Sequence, residues 1–199
     1  MYLTNKLRNI WRRLLQSWGS PWIKRIIWNK EFAEGRWDHL AETPGDCVYR
    51  YVEKYVQNGD ILDLGCGSGN TGNELDYSKY QSYTGVDISN VAIQKAVSRS
   101  ELSGRIFKNH YFQSDILTYR PQGTYQVILF RESLNYIPRV NLIGMLQRYQ
   151  KYLDESGVFV VRLYDRYKYK AIYELIRTNF HVIEEFLPED MDTVVMIFR

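Results

Sequence analysis

The sequence is poor in the features that mark membrane-spanning, secreted and zinc-binding proteins. Its 199 residues include two cysteines, three histidines and five prolines. No apolar run exceeds about five residues, whereas a transmembrane helix needs roughly 20. His and Cys are too sparse for a zinc site, and Cys66 falls in a glycine-rich loop that a disulfide would distort. We therefore expect a reducing, cytoplasmic compartment, with neither a secretory leader nor a bound metal.

Acidic residues are missing from the first part of the chain. Residues 1–30 contain seven Lys or Arg and no Asp or Glu, while the rest contains nineteen basic and twenty-three acidic residues. The net charge of +3 is too small to indicate nucleic-acid binding by the chain as a whole. The asymmetry instead sets residues 1–44 apart, as a basic and aromatic helical cap on a domain that spans 45–199.

The cap begins with an amphipathic pattern. Residues 1–18 predict a helix, and Ser20-Pro21 predicts the start of a second, short one. Three roles for residues 1–28 remain open: a lid packed on the domain, a helix lying on an anionic membrane surface, and an RNA-binding face, for which no RNA-binding module is present. The apolar stripe of the first helix consists of Leu3, Leu7, Ile10, Trp11, Leu14, Leu15 and Trp18.

From Cys47 onward, apolar runs and helical patterns alternate. This alternation predicts an α/β fold with a mostly parallel sheet and helices on both faces. The last two apolar segments are joined by "PEDMD", which suits a hairpin. Strands are predicted at 60–65, 83–89, within 106–116, at 125–134, from 158 and in the two tail segments, and helices at 47–57, after the glycine loop, at 90–100, at 141–156 and over roughly 167–179.

The stretch "DLGCGSGNTG", from Asp63 to Gly72, fits two ligand-binding patterns. Started at Gly67 it spells the dinucleotide fingerprint G-x-G-x-x-G, and started at Gly65 it spells G-x-G-x-G, the loop that cradles S-adenosylmethionine (SAM). A dinucleotide fingerprint begins where the strand ends, so its third glycine would fall on Asn70. The carboxylate of Asp63 suits a cationic ligand and repels a pyrophosphate. The position of Gly65 directly at the end of the predicted strand therefore favours SAM over a dinucleotide.

Five segments together resemble the class I SAM-dependent methyltransferases, in the order and spacing of that family and over roughly residues 45–199. The resemblance implies a Rossmann-like sheet of seven strands with the last one antiparallel, SAM as the cofactor and S-adenosylhomocysteine (SAH) as the product. The segments are "ILDLGCGSG" (61–69), "YTGVDIS" (83–89), "QSDIL" (113–117), "VILFRESLNYI" (127–137) and "SGVFVVRLYD" (156–165).

The resemblance also implies a set of cofactor-binding residues. The methionine half is lined by the glycine loop and the acid before it: Asp63, Gly65, Cys66, Gly67 and Gly69. Asp87, at the end of the second strand, holds the ribose hydroxyls. The adenine is held by Ile88, Asp115 and Ile116, and the methyl group is bordered by Phe130 and Arg131.

Two aromatic residues of the cap, Phe32 and Trp37, are further candidates to close over SAM.

Three residues are candidates for the chemistry or for orienting the acceptor. Glu132 follows the fourth strand beside the expected methyl, Tyr136 follows soon after, and His39 lies in the cap. A hydroxyl acceptor usually needs a base, whereas a neutral amine often needs only desolvation and positioning. Each residue also has another explanation: Glu132 as a carboxylate that binds the ammonium group of SAM or pairs with Arg131, Tyr136 as a core residue at the start of a helix, and His39 as a lone histidine with a structural role.

"RESLNYI" and "FAEGRWDHL" look most similar to small bacterial methyltransferases of saccharides and natural products, including nodulation-factor N-methyltransferases. Those relatives have "E-x-L-Y-Y", and here Asn135 replaces the first Tyr. We expect methyl transfer to an O or N atom of a small molecule, with a saccharide or secondary metabolite favoured. Three alternatives remain: a membrane-associated enzyme acting on a lipid-linked or amphiphilic acceptor, an RNA methyltransferase, and a non-catalytic SAM-binding accessory protein. "FRES" lacks the N/D-P-P-Y/F motif of base amino-methyltransferases.

Overall fold

The computed structural model describes residues 2–40 and 43–199, without the side chains of residues 2–6 and 8. In that part of the chain, no helix is long and apolar enough to cross a membrane. Two short 3-10 turns occur at Asp38–Leu40 and Leu134–Tyr136. The helices are α1 (Tyr2–Trp18), α2 (Pro21–Ala33), α3 (Cys47–Val56), α4 (Asn70–Glu74), α5 (Asn90–Leu102), α6 (Arg139–Gln150) and α7 (Lys170–Asn179).

Seven strands form one sheet in the order β3-β2-β1-β4-β5-β7-β6. All neighbours pair in parallel except β7, which is antiparallel to both β5 and β6. The predicted seven-stranded Rossmann-like sheet with an antiparallel last strand is confirmed. The strands are β1 (Asp60–Leu64), β2 (Ser82–Asp87), β3 (Asn109–Gln113), β4 (Tyr125–Arg131), β5 (Leu153–Leu163), β6 (Val182–Phe186) and β7 (Val194–Phe198).

The order of the strands fixes where a ligand can bind. The central strand β1 pairs with β2 on one side and with β4 on the other, so the chain reverses its winding direction at β1. In open parallel sheets the crevice for a ligand lies at such a switch point, outside the carboxyl ends of the strands. The glycine loop leaves β1 at that edge.

Both faces of the sheet are buried under helices. Along β4, Ile128 and Phe130 point into one core cluster, while Val127 and Leu129 point into the other. This alternation follows from the two-residue period of a strand. The central strands are therefore held rigidly from both sides, which fixes the loops that follow them.

The prediction of a helix over 141–156 is wrong at the C-terminal end. Helix α6 stops at Gln150, and Leu153 is already paired with Tyr125 as the first residue of β5. The register shifts between Tyr125 and Val127, and a Cβ on Gly157 would lie 2.6 Å from the carbonyl oxygen of Tyr125. The strand continues through this irregularity because glycine leaves room for the neighbouring backbone.

A partly buried row of alternating charges ties α3 to the sheet. Asp46 contacts Arg131 at 2.7 Å and Arg162 at 3.2 Å, and Arg162 reaches Glu132 at 2.5 Å. Asp46 also caps α3 by accepting a hydrogen bond from Val48 N. Burial alone would raise the pKa of Asp46, but Arg131 and Arg162 outweigh burial and hold the pKa below its ordinary value.

We predict that Asp46→Ala lowers the free energy of unfolding by about 3 kcal/mol, because it leaves Arg131 buried without its carboxylate and removes a helix cap. Urea denaturation measures the change. Glu101→Ala, an exposed acid at the end of α5, should change stability by less than about 0.5 kcal/mol. Equal losses in the two variants would contradict this role for the charge row.

Candidate functional site

The loop after β1 is shaped by three glycines. Gly65, Gly67 and Gly69 have φ of +91°, +54° and +74°. A Cβ on Gly65 would lie 2.5 Å from the Cβ of Ser133, and a Cβ on Gly69 would lie 2.7 Å from that of Ala96. Glycine is therefore required at both places, for backbone conformation and for space. The result is a tight turn whose backbone a ligand can approach closely.

Two buried carboxylates flank this loop. Asp63, on β1, accepts a hydrogen bond from the hydroxyl of Tyr83 at 2.5 Å. Asp87 ends β2 and accepts from Gly67 N at 3.0 Å and Ser89 N at 2.8 Å. Burial raises the pKa of Asp63 and of Asp87 to about 6 in each case, against the hydrogen bonds that lower it. A cationic ligand would favour the charged form of both groups.

A third buried carboxylate, Asp115, follows β3. One of its oxygens accepts from Leu117 N at 2.9 Å, and the other lies 3.5 Å from the ammonium of Lys24, on α2. Both side chains are less than a tenth exposed. The acid predicted to recognise adenine is thus engaged by a cation from the N-terminal cap.

Helix α2 lies along this same edge of the sheet. The ring of Phe32 would be 3.5 Å from a Cβ on Gly67. Asn29 accepts a hydrogen bond from the hydroxyl of Ser89 at 2.8 Å, and the ammonium of Lys95 donates to the carbonyl oxygen of Phe32 at 2.8 Å. Phe32 is therefore placed over the glycine loop, where the sequence predicts a residue that closes over the cofactor.

The other predicted cap residues lie farther out. The indole N–H of Trp37 donates to the buried carboxylate of Glu31 at 3.0 Å. Arg12 and Arg36 also contact Glu31, at 3.2 and 3.4 Å. His39 is exposed, and its ring stacks on Trp37. Trp37 thus holds the end of α2 in place, and within the described ranges 2–40 and 43–199 His39 meets no other candidate site residue.

The last two residues of β4 lie in different surroundings. Phe130 is fully buried in the core, against Tyr149 and Phe159. Arg131 belongs to the charge row and also donates to the hydroxyl of Thr71 at 3.3 Å. Arg131 therefore contacts α4, the helix that follows the glycine loop.

Glu132 has a strained backbone and an engaged side chain. Its φ is +59°, in the left-handed region that non-glycine residues seldom adopt. Its carboxylate accepts from Arg162 and, at 3.1 Å, from Tyr164 N. Burial raises the pKa of Glu132 despite these partners. The side chain joins the ends of β4 and β5 and thereby orients Tyr164.

A cluster of three tyrosines stands beside the glycine loop. The ring of Tyr136 meets Trp28 of α2 edge-on at 4.8 Å, and the hydroxyls of Tyr164 and Tyr169 lie 3.1 Å apart. Asn135, two residues after Ser133, donates to the hydroxyl of Tyr169 at 3.3 Å. Since Ser133 abuts Gly65, the cluster adjoins the loop at the carboxyl ends of β4 and β5.

Tyr164 is the chemically distinctive member of this tyrosine cluster. Burial would raise its pKa, but hydrogen bonds from Lys168 and Tyr169 and the nearby guanidinium of Arg13 outweigh burial and lower the pKa. The sequence alone predicts no role for Tyr164, Lys168 or Tyr169. The available signal was the position of "YDRYKY" directly after a strand, at the edge where the other candidates lie.

Three buried polar atoms at this edge make no hydrogen bond to any residue that the structure describes. They are Asp63 Oδ1, Ser133 Oγ and Asn135 Oδ1. Buried polar groups are nearly always hydrogen-bonded in folded proteins. Together with the close-approach glycines, these atoms fit a polar ligand such as SAM. Ile88 and Ile116, the predicted adenine contacts, are half-buried near the neighbouring strand ends.

Comparison with known proteins assigns the family. The sequence model described as "Methyltransferase domain" matches residues 36–187. The chain belongs to this family. The predictions of a class I methyltransferase and of SAM as the cofactor of such enzymes are confirmed.

Solved structures share the fold at low sequence identity. The N-methyltransferase NodS from Bradyrhizobium japonicum is 17% identical, with a TM-score of 0.64, over 84% of this chain and 96% of that one; its structure is also known with SAH. The glycopeptide N-methyltransferase MtfA, solved with sinefungin, is 13% identical, with a TM-score of 0.66, over 79% of this chain and 87% of that one. These likenesses support the fold.

A curated relative matches over a short segment. The mRNA cap guanine-N(7) methyltransferase of Saccharomyces cerevisiae is 38% identical over 52 residues. The match spans 26% of this chain and 12% of the yeast protein. So short a segment carries no inference about the acceptor.

We predict that Gly65→Ala weakens SAM binding at least about tenfold, because the added methyl would collide with Ser133 and distort the loop. Isothermal titration calorimetry measures the affinity. Gly104→Ala is the matched control, since Gly104 has φ +69° but nothing within 4 Å of its Cβ position. Both variants should lose roughly 1 kcal/mol of stability from the left-handed backbone. Unchanged affinity in Gly65→Ala would contradict the assignment.

Proposed function

We propose that this chain binds SAM at the carboxyl edge of β1, β2 and β3 and transfers its methyl group to an N or O atom of a small molecule. The observation that carries the proposal is the glycine cradle flanked by the buried carboxylates of Asp63, Asp87 and Asp115. A cationic ligand that offers hydroxyl and amino donors suits such an edge. SAM supplies an electrophilic methyl carbon on a positively charged sulfur.

The chain's own residues have distinct parts in holding this cofactor. The backbone of the loop from Gly65 to Gly69 would face the methionine half, with the free oxygen of Asp63 beneath it. Asp87 would accept from the ribose hydroxyls. Asp115 would accept from the adenine amino group, with Ile88 and Ile116 against the ring. Phe32 would exclude water from above, since α2 already lies over the loop, and Trp37, which is hydrogen-bonded to Glu31 of α2, would support this cover from farther out.

The acceptor is proposed to bind against the tyrosine cluster. Tyr136, Tyr164 and Tyr169 stand next to the glycine loop, under the helices of the cap. The covering helices favour a small acceptor over a folded macromolecule. The hydroxyls of the cluster suit a polar, hydrogen-bonding acceptor, which supports a saccharide or secondary metabolite, as does the likeness to a glycopeptide N-methyltransferase.

Tyr164 is proposed as the general base. Its phenolate oxygen would accept the proton that the acceptor's hydroxyl or ammonium group loses, while the acceptor atom gains the methyl group. Lys168 stabilises the phenolate, and Glu132 holds the backbone of Tyr164 in place. Tyr136 would contact the acceptor. His39 remains a weaker candidate base, because it is exposed and the rings of Trp37 and Trp28 stand between it and Tyr136.

The proposed function is tested by incubating the full chain with SAM and a panel of amino sugars, glycosides and amine-bearing secondary metabolites. A product heavier by one methylene, formed with an equal amount of SAH, supports it. Tight SAM binding without product across the panel would favour the accessory role. Transfer of labelled methyl to total RNA, in place of the small molecules, would contradict the small-molecule acceptor.

We predict that Tyr164→Phe lowers kcat about 100-fold or more, in the range of lost general-base catalysis. The wild-type rate should rise with pH as Tyr164 loses its proton, and Tyr164→Phe should lose that rise. Lys168→Met should move the rise to higher pH, because the pKa of Tyr164 increases without the ammonium. Tyr167→Phe, in the same loop and largely exposed, is the control. Wild-type pH profiles in both Tyr164→Phe and Lys168→Met would exclude this base.

A further inference from the structure

Helix α1 is oriented opposite to the usual arrangement of an amphipathic helix. Such helices normally bury the apolar stripe against the core and expose the polar face. Here the apolar stripe faces solvent: Leu7, Ile10, Trp11, Leu14, Leu15 and Trp18 are 40% to 64% exposed. The outward stripe continues into α2, where Trp22 is 62% and Ile26 is 45% exposed.

The polar side of α1 faces the protein instead. Gln16 is buried, at 3% exposure, and one turn earlier Arg12 contacts the buried carboxylate of Glu31 at 3.2 Å. Arg13 lies beside Tyr164. In α2, Lys24 likewise points inward to Asp115. Specific ion pairs therefore fix the polar face inward, and the apolar face stays uncovered.

The segment that carries this outward face has charge of one sign. Residues 1–30 contain seven Lys or Arg and no Asp or Glu. Arg12, Arg13 and Lys24 face inward, which leaves four of the seven cations for an outer surface, and one of these, Lys30, also pairs with Glu34 just beyond α2. Three of the chain's five tryptophans, Trp11, Trp18 and Trp22, are on the outward face. Tryptophan prefers the boundary between lipid headgroups and hydrocarbon. Exposed Leu, Ile and Trp with only cationic charges nearby are typical of helices that lie on anionic bilayers.

We propose that the outward face of α1 and α2 docks on an anionic lipid membrane. A second copy of the chain fits this face less well, because it would bring two cationic segments without carboxylates together. Nucleic acid would use the cations but would leave the apolar stripe in water. An anionic bilayer accommodates both features: the apolar side chains enter the headgroup boundary to a depth of about 5–10 Å, and the cations meet lipid phosphates.

Docking in this way would set the active edge next to the membrane. Helix α2 also covers the glycine loop and the tyrosine cluster, through Phe32 and Trp28, and Arg13 of α1 lies beside Tyr164. An acceptor that partitions into the lipid surface would therefore reach the site along the inner side of the same helices. Membrane binding itself does not require the proposed methyl transfer.

The test is co-sedimentation of the full chain with vesicles of phosphatidylcholine alone and of phosphatidylcholine mixed with phosphatidylglycerol. We expect binding to the mixed vesicles at least about tenfold tighter than to the neutral ones, weakened by added salt. Trp fluorescence should shift to the blue on binding. The variant Trp11→Ser/Leu14→Ser/Trp18→Ser should lose at least about a hundredfold in affinity, with unchanged SAM binding, since these side chains point away from the site.

A matched control carries polar substitutions at exposed apolar residues elsewhere, Leu102→Ser/Phe107→Ser. It should bind the mixed vesicles like the wild type. Three results would overturn the proposal: no binding to mixed vesicles, equal loss in the control variant, and binding that persists in the triple variant. A wild-type dimer in light scattering that becomes monomeric in the triple variant, without vesicle binding, would assign the face to a second copy.

Discussion

The fold concentrates buried carboxylates at one edge of its sheet, and the site is built around this constraint. Asp63, Asp87 and Asp115 all lie at the carboxyl ends of β1 to β3, each at most 9% exposed. Charged groups at such depth are costly unless hydrogen bonds or cations compensate them. Backbone N–H groups of the glycine loop and Lys24 supply part of that compensation. A cationic ligand would supply the rest.

The cap has two faces with different tasks. Its inner face is polar and aromatic, and it places Lys24, Phe32 and Trp28 against the acids, the loop and the tyrosines. Its outer face is apolar and flanked by cations. The ion pairs of Glu31 and Asp115 decide which face points inward, because a buried carboxylate without its cation is strongly unfavourable. The same interactions thus close the site and expose the proposed membrane-docking face.

The sequence predicts those features that depend on neighbours in the chain. Gly65 to Gly69 follow directly after β1 and Asp87 is the last residue of β2, so their positions relative to the strands are enough to place them. The orientation of α1 was not predictable from its sequence, because the residues that hold its polar side inward, Glu31 and Tyr164, belong to other elements. The base candidate Tyr164 was not predictable for the same reason, since its surroundings include residues from α1, the end of β5 and the loop before α7. The position of Phe130 in its motif did not reveal that its side chain is fully buried, because the alternation along β4 decides which side of the sheet the side chain faces.

The most direct test of the acidic edge is the calorimetric affinity for SAM between pH 5 and pH 7.5. In the free protein Asp63 and Asp87 have pKa values of about 6, and SAM should bind the deprotonated carboxylates. Affinity should therefore rise with pH, by up to about tenfold per pH unit for each group below its pKa, and level off near pH 7. Asp87→Asn should bind more weakly, with a shallower dependence. An affinity that is constant over this range, or undiminished in Asp87→Asn, would contradict the account.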